Sequence, residues 1–385
     1  MMGDNMNNIE KNGFLDLPLC DDHFHLMKFH PVDVSVRVFG EIIDYFSMER
    51  ITLNALTQCM DSENDPASNV KALYIKAKLN ETHPDRALVF GNIYHFLDGR
   101  DSADSYLRQV KQLDAMGVDG YKTLDGKPLQ RKLLGRELDD PIYDKMYAYI
   151  EERGMPVKMH LGDPPVHWDR EKISPYAISR GWFCDETFPT LEKMRDEVDG
   201  ILTKFPKLRL CLAHFYFLGH DLEAAVDFFE KWENVSFDLT PGAEMFVGMS
   251  ERHDEWRAFF HKYADRLYFG SDTYNKPEDC YEESGDAGHR INLVRKMLEY
   301  SEPFEDMHIG TAIPLALERG DIMKICHDNM AARNPHARPL DAGLIAQHAA
   351  DLLEALEHGF LGVKPAEHLA LEIENLRTVY EYFAK

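Results

Sequence analysis

Eight short apolar runs, each followed by a segment of helical periodicity, constrain this chain more than any other feature. The runs cover residues 15–25, 51–58, 86–96, 118–124, 155–163, 208–215, 235–240 and 266–273. Strands alternating with helices imply parallel strands joined by crossover helices. Eight such units are the count of a (β/α)8 (TIM) barrel. A doubly wound open sheet competes with it, but no glycine-rich phosphate loop follows the first run to support that arrangement. The helix-like stretch 105–117 ends on Gly117, and another begins at Asp221, a residue suited to an N-cap.

The barrel is expected to span residues 15–301, after a lead-in of residues 1–14. Residues 302–385 read as a helical extension packed on the barrel, with stretches 341–359 and 365–383 as its helices. The segment 162–188 is long for a connection inside a compact domain and carries Trp168, Tyr176 and Trp182. Such a loop is a functional cover or contains small elements of its own.

A hydrophobic fraction of 44% allows a large core, and a formal net charge of −24 repels phosphate backbones and anionic lipid. Nucleic acid and membrane are therefore not expected partners. No apolar run approaches the roughly 20 residues that span a bilayer, and the polar start lacks the basic and apolar regions of a signal peptide. The six cysteines are scattered without a CxxC pair, which is cytoplasmic usage.

The first run ends on His23 and His25. Residues two apart on a strand share a face, so both imidazoles project together at the strand's C-terminal end. Alone, the pair reads as satisfied polar residues near a strand end. His160, His214 and Asp272 fall at the ends of the fifth, sixth and eighth runs. In a barrel these ends converge on one pocket, and four imidazoles with a carboxylate are costly to bury without a metal.

The set HxH, His, His, Asp at strands one, five, six and eight resembles the amidohydrolase superfamily. The "YFGSDT" and "ICHDN" segments look most like its amidohydrolase-related branch, which holds aminocarboxymuconate-semialdehyde decarboxylase and related hydrolases, hydratases and decarboxylases. The resemblance implies that His23, His25, His160 and Asp272 bind a single divalent ion, most simply Zn2+, with Mn2+ also suited to such donors. Asp272 and His214 would be the catalytic residues, orienting and deprotonating a metal-bound water and shuttling a proton. Lys122, ending the fourth run, has three readings: a solvated lysine, a cation for an anionic substrate group, or a carbamylated bridge to a second ion. Arg170, Trp168 and Tyr216 are further substrate-binding candidates near the mouth, and His95 and Asp21 are weaker ones.

The expected function is a metal-dependent hydrolase attacking an amide, ester or lactone of a small, carboxylate-bearing substrate. Non-hydrolytic decarboxylation or hydration of an unsaturated acid uses the same groups, and a catalytically silent barrel is the remaining alternative. The resemblance also implies a homodimer.

Overall fold

The computed structural model describes residues 13–26, 30–60, 63–241, 243–279, 281–282 and 284–385; residues 1–12 of the expected lead-in lie outside them. Each of the eight runs overlaps a strand of one parallel sheet. These are β1 (Leu19–His25), β2 (Met48–Asn54), β3 (Ala87–Gly91), β4 (Gly120–Gly126), β5 (Val157–Leu161), β6 (Leu210–Leu212), β7 (Val235–Asp238) and β8 (Leu267–Tyr268). A ninth piece, β9 (Thr273–Tyr274), follows β8 and pairs with β1. Among the described residues the order is β8-β7-β6-β5-β4-β3-β2-β1-β9, with every pairing parallel.

The eighth run therefore meets both edges of the curled sheet. Leu267 and Tyr268 pair with β7, Thr273 and Tyr274 pair with β1, and between them the Asp22 amide donates to the Phe269 carbonyl at 3.0 Å. Phe269 departs from the ladder because its own amide bonds the Ile325 carbonyl at 3.0 Å, inside the π-helical turn Lys324–Asp328. A bulge in β1, where the pairing with β2 shifts between Asp21 and Phe24, alters the simple alternation there. Consequently Asp22, not Asp21, meets the Lys158 and Arg333 side chains, while the Asp21 carboxylate accepts from the backbone amides of His23 and Ser271.

Long helices connect the strands, including α1 (Val32–Tyr45), α2 (Ser68–Thr82), α3 (Ala103–Met116), α4 (Asp144–Arg153), α5 (Leu191–Lys204), α6 (Leu222–Lys231), α7 (His253–Lys262) and α8 (Asp286–Glu299). Ser102 and Ser105 form a capping box at the start of α3, and Gly117 ends it at φ +98°. Any side chain at 117 would meet the Pro339 carbonyl oxygen, 2.2 Å from an ideal Cβ, so both conformation and space demand glycine. At α6 the Asp221 side chain accepts from the Ala224 amide as an N-cap.

Beyond residue 302 the chain departs from the expected run of helices. It opens with an antiparallel hairpin, Phe304–Asp306 against Gly310–Ala312, where Gly310 turns at φ +71°. The two expected helices follow as α9 (Ala342–Glu357) and α10 (Leu369–Phe383), packed on each other and on α2. Segment 162–188 contains a 3-10 turn, Pro165–Trp168, and a short helix, Pro175–Ser179. Among the described residues no helix is long and apolar enough to cross a membrane.

A buried ion cluster docks the C-terminal helices. Lys71 on α2 lies 2.7 Å from Asp65 and 2.6 Å from Glu372 on α10. One cation between two carboxylates leaves one proton's worth of charge uncompensated. Burial, with Asp65 beside it, pushes Glu372 up to about 7. The folded chain thus holds this proton more tightly than the unfolded one, whose carboxyl titrates near 4.3. The contribution is fully present below that value and is lost as pH rises toward 7. Unfolding midpoints should therefore fall between pH 5 and 7, and Glu372→Gln should flatten that slope in parallel urea titrations. An unchanged slope in the variant would remove Glu372 as its source.

Candidate metal centre

The ends of β1 and the eighth run bring three donors together. His23, His25 and Asp272 each offer a ligand atom, and these atoms all lie within 4.8 Å of one another. The Nε2 atoms of His23 and His25 are 2.9 Å apart, and Asp272 Oδ1 stands 3.5 Å from His25 Nε2 and 3.8 Å from His23 Nε2.

Hydrogen-bond partners assign both tautomers. His25 Nδ1 faces the Asn54 carbonyl at 3.0 Å, an atom that only accepts, so Nδ1 carries the proton. His23 Nδ1 lies 2.7 Å from both Asp238 Oδ2 and Thr240 Oγ1, and since the carboxylate only accepts, Nδ1 donates to it. Both Nε2 atoms then present lone pairs 2.9 Å apart; the Lys122 ammonium meets that of His23 at 3.2 Å, and a divalent ion would be shared by both. Burial first, and then the Lys122 ammonium, holds both imidazoles well below their ordinary range. They stay neutral, which is the ligating form. The donor set therefore fits a divalent ion with N and O ligation.

Lys122 projects from β4 into this site, fully buried, with Nζ 3.2 Å from His23 Nε2. Burial, reinforced by Lys158, pushes it down to about 8. Arg290 on α8 lies 3.3 Å from Asp272 Oδ2 and is itself steadied by Asp286 at 2.8 Å. Burial raises the Asp272 carboxyl despite Arg290 and Lys122.

His214 and His160 form an adjoining pair. Their rings are 4.7 Å apart between centroids, and His214 is 5.6 Å from His23. His160 Nε2 donates to the Gly162 carbonyl at 2.9 Å and lies 3.5 Å from Asp163, which leaves the lone pair on Nδ1. Burial, helped by Lys127, lowers His160 to about 4. Lys127 reaches the same region through a 2.9 Å ion pair with Asp163.

The backbone beneath His214 is unusual. Residues His214, Phe215, Tyr216 and Phe217 have φ of 56°, 53°, 56° and 50°, a left-handed turn without glycine. Each such residue costs of order 1–2 kcal/mol, and strain of this kind persists where the surroundings over-determine it. Asp272 also sits at φ 57°. Thus two candidate catalytic residues rest on left-handed backbone.

The remaining candidates lie elsewhere. Tyr216 packs its buried ring 4.9 Å from Phe228 and 5.8 Å from Phe237, with the Arg195 guanidinium 5.4 Å away. The Trp168 indole donates to the Pro189 carbonyl at 3.1 Å, and exposed Arg170 stacks over Phe183 at 5.3 Å. None of these three is brought among the donors. His95 bonds Tyr106 at 2.8 Å and Asp125 at 3.0 Å as part of a separate buried cluster. Three groups at the centre escaped the sequence reading: Asp238, Lys158 and Arg290. Asp238 ends β7 and obeys the strand-end rule that found Asp272; Lys158 precedes His160 by two, the parity of the pair on β1. Arg290, on a helix, carries no comparable signal.

Residues 77–333 match the family model described as amidohydrolase. No curated protein matches the chain in sequence. Among solved structures it is similar to a TIM-barrel protein of uncharacterised function from Bordetella bronchiseptica, at 14% identity and TM-score 0.51, covering 82% of this chain and 98% of that one. It is also similar to a dihydroxybenzoic acid decarboxylase from Polaromonas sp. JS666 with bound manganese, at 14% identity and TM-score 0.48, covering 82% and 96%. A 2,6-dihydroxybenzoate decarboxylase from Rhizobium gives 15% identity and TM-score 0.46, covering 82% and 98%. At such identities the likeness to the Bordetella protein is one of fold.

Proposed function

This chain belongs to the amidohydrolase family, and from that premise we propose that it is a metal-dependent hydrolase acting on an amide, ester or lactone of a small carboxylate-bearing substrate. The observation that carries the reading is the facing pair of Nε2 lone pairs at 2.9 Å, with Asp272 as the third donor. A divalent ion there supplies Lewis acidity to a substrate oxygen and to water. Zinc suits the donors, and one ion suits Lys122, whose ammonium already faces His23. A second ion would need that amine to become a carbamate.

The protein's own groups supply the rest. Water attacks the carbonyl carbon and its proton passes to Asp272, the carboxylate that burial makes more basic while Arg290 fixes its Oδ2 side. His214, next to His23, polarises the carbonyl or returns the proton to the leaving group. Lys122 holds the anionic end of the substrate as a point charge. His160 stands beside His214, and with Nε2–H given to Gly162 its Nδ1 lone pair is the atom that would serve as a fourth ligand.

A second reaction class, decarboxylation or hydration of an unsaturated acid, draws support from the cations around the donors. Lys122 lies beside His23, Arg290 beside Asp272 and Lys127 beside Asp163, cations suited to a carboxylate and to the negative charge left on carbon as CO2 departs.

Chelation tests the common part. Activity on a panel of lactones, esters and β,γ-unsaturated or aromatic carboxylates should vanish with the ion and return on adding zinc or manganese. Incorporation of 18O from labelled water with cleavage of the amide, ester or lactone bond supports hydrolysis; 18O addition across a C=C bond, or release of CO2, supports the second class. Full activity in a chelated, metal-free protein would sink both.

A further inference from the structure

Asp238 closes β7, is fully buried, and engages both carboxylate oxygens. Oδ2 accepts from His23 Nδ1 at 2.7 Å and pairs with Lys158 Nζ at 2.9 Å. Oδ1 accepts from the backbone amides of His214 at 2.9 Å and Thr240 at 3.2 Å. Lys158 is fixed in turn by Asp22 at 2.8 Å and by the Asp22 carbonyl at 2.6 Å. One carboxylate therefore touches an imidazole of the donor group, the first residue of the left-handed turn, and a cation locked inside the barrel.

We propose that Asp238 is a positioning residue that sets the Nδ1–H tautomer of His23 and holds the His214 turn in register with the donors. This rests on reading the site as a metal centre. Four donors converge on this carboxylate, and no acceptor-to-donor swap leaves them satisfied. An asparagine that keeps its oxygen toward His23 must turn its NH2 group against the amides of His214 and Thr240. In the other orientation the NH2 group opposes His23 Nδ1–H and the Lys158 ammonium. In the second arrangement the Thr240 hydroxyl, 2.7 Å from His23 Nδ1, and the asparagine NH2 both donate to that nitrogen and favour the Nε2–H tautomer, which removes the lone pair that faces His25. The first releases the amide that ties down a turn of four non-glycine residues at positive φ. Asp238 thus couples ligand tautomer to the placement of His214 without itself touching substrate.

The test compares wild type, Asp238→Asn and Asp238→Glu as purified full chains, using zinc as the probe in chelator competition. Asp238→Asn should bind zinc about 10–100-fold more weakly, the range for losing a carboxylate behind a ligand histidine. At saturating zinc its kcat should fall about 100-fold, as for ~1 Å misplacement of a reacting group, with KM little changed. Asp238→Glu, which keeps the charge and acceptors, should recover part of the zinc affinity. If Asp238→Asn does not fold, the paired Lys158→Met, Asp238→Asn variant removes the cation with its anion and carries the same comparison. A folded variant with wild-type zinc affinity overturns the proposal, as does a loss confined to KM. Failure of the wild type to take up zinc would instead overturn the reading of the site, and is visible in that arm alone.

Discussion

Replacing His25 by alanine is expected to abolish metal binding and turnover together, whereas replacing His214 should abolish turnover and leave most of the metal. The two imidazoles occupy different places in the site. His25 Nε2 lies 2.9 Å from His23 Nε2 and 3.5 Å from Asp272, with its Nδ1 proton committed to the Asn54 carbonyl. Its removal leaves two donors, too few to hold an ion against water. His214 stands one ring further out, stacked on Phe217 at 5.2 Å, and belongs to the turn and not to the compact donor group. Loss of a general acid–base group costs about 10²–10⁴-fold in kcat. Elemental analysis beside kcat decides the matter: His25→Ala should show little metal at any activity, and His214→Ala close to one equivalent with kcat down by that factor. A His214→Ala protein that also releases its metal would make His214 a ligand and end the single-ion assignment.

The contrast between these histidines shows where one-dimensional reading succeeds. His23 and His25 are two apart on a strand, so their common face follows from the pleat alone. His160 obeys the same strand-end rule and lies beside His214, and only its Nε2 bond to the Gly162 carbonyl is a detail that periodicity does not express. Tyr216 follows His214 by two and reads as a mouth residue. The left-handed turn instead sends it among Phe228 and Phe237. Asp22 and Asp21 exchange places for a comparable reason, because the bulge in β1 breaks the alternation. Strand order, helix caps at Gly117 and Asp221, and the two C-terminal helices rest on local patterns and were legible. The partners Arg290 and Arg333 depend on contacts between distant segments. No local spacing encodes those.

Arg333 gives the largest expected effect on stability. It ends the short helix Asn329–Arg333, on the far side of the expected boundary at residue 302, yet its guanidinium is buried in the barrel with Phe90 at 5.0 Å and Tyr268 at 4.6 Å. Nη1 donates to Asp22 Oδ2 at 2.7 Å and Nη2 donates to Asp22 Oδ1. Burial alone would raise Asp22, but Arg333 and Lys158 outweigh it and hold the carboxyl below its ordinary range. Arg333→Met deletes half of that compensation and leaves a buried carboxylate short of a partner. Breaking such a pair costs about 3–5 kcal/mol, to be read as a lower urea midpoint at an unchanged slope. Arg333→Lys should recover little, because an ammonium lacks the planar fork that serves both oxygens. The paired Asp22→Asn, Arg333→Met variant should be more stable than Arg333→Met alone, since it removes the stranded charge and not merely its partner. The same substitution tests the route to the metal site. Lys158 bridges Asp22 at 2.8 Å and Asp238 at 2.9 Å, so an Asp22 deprived of Arg333 draws Lys158 away from Asp238. Arg333→Met should then weaken zinc binding through Asp238 and His23, although Arg333 itself is bonded to neither. A variant that loses less than about 1 kcal/mol of stability would show that Lys158 alone neutralises Asp22, and the barrel interior would owe little to the C-terminal segment.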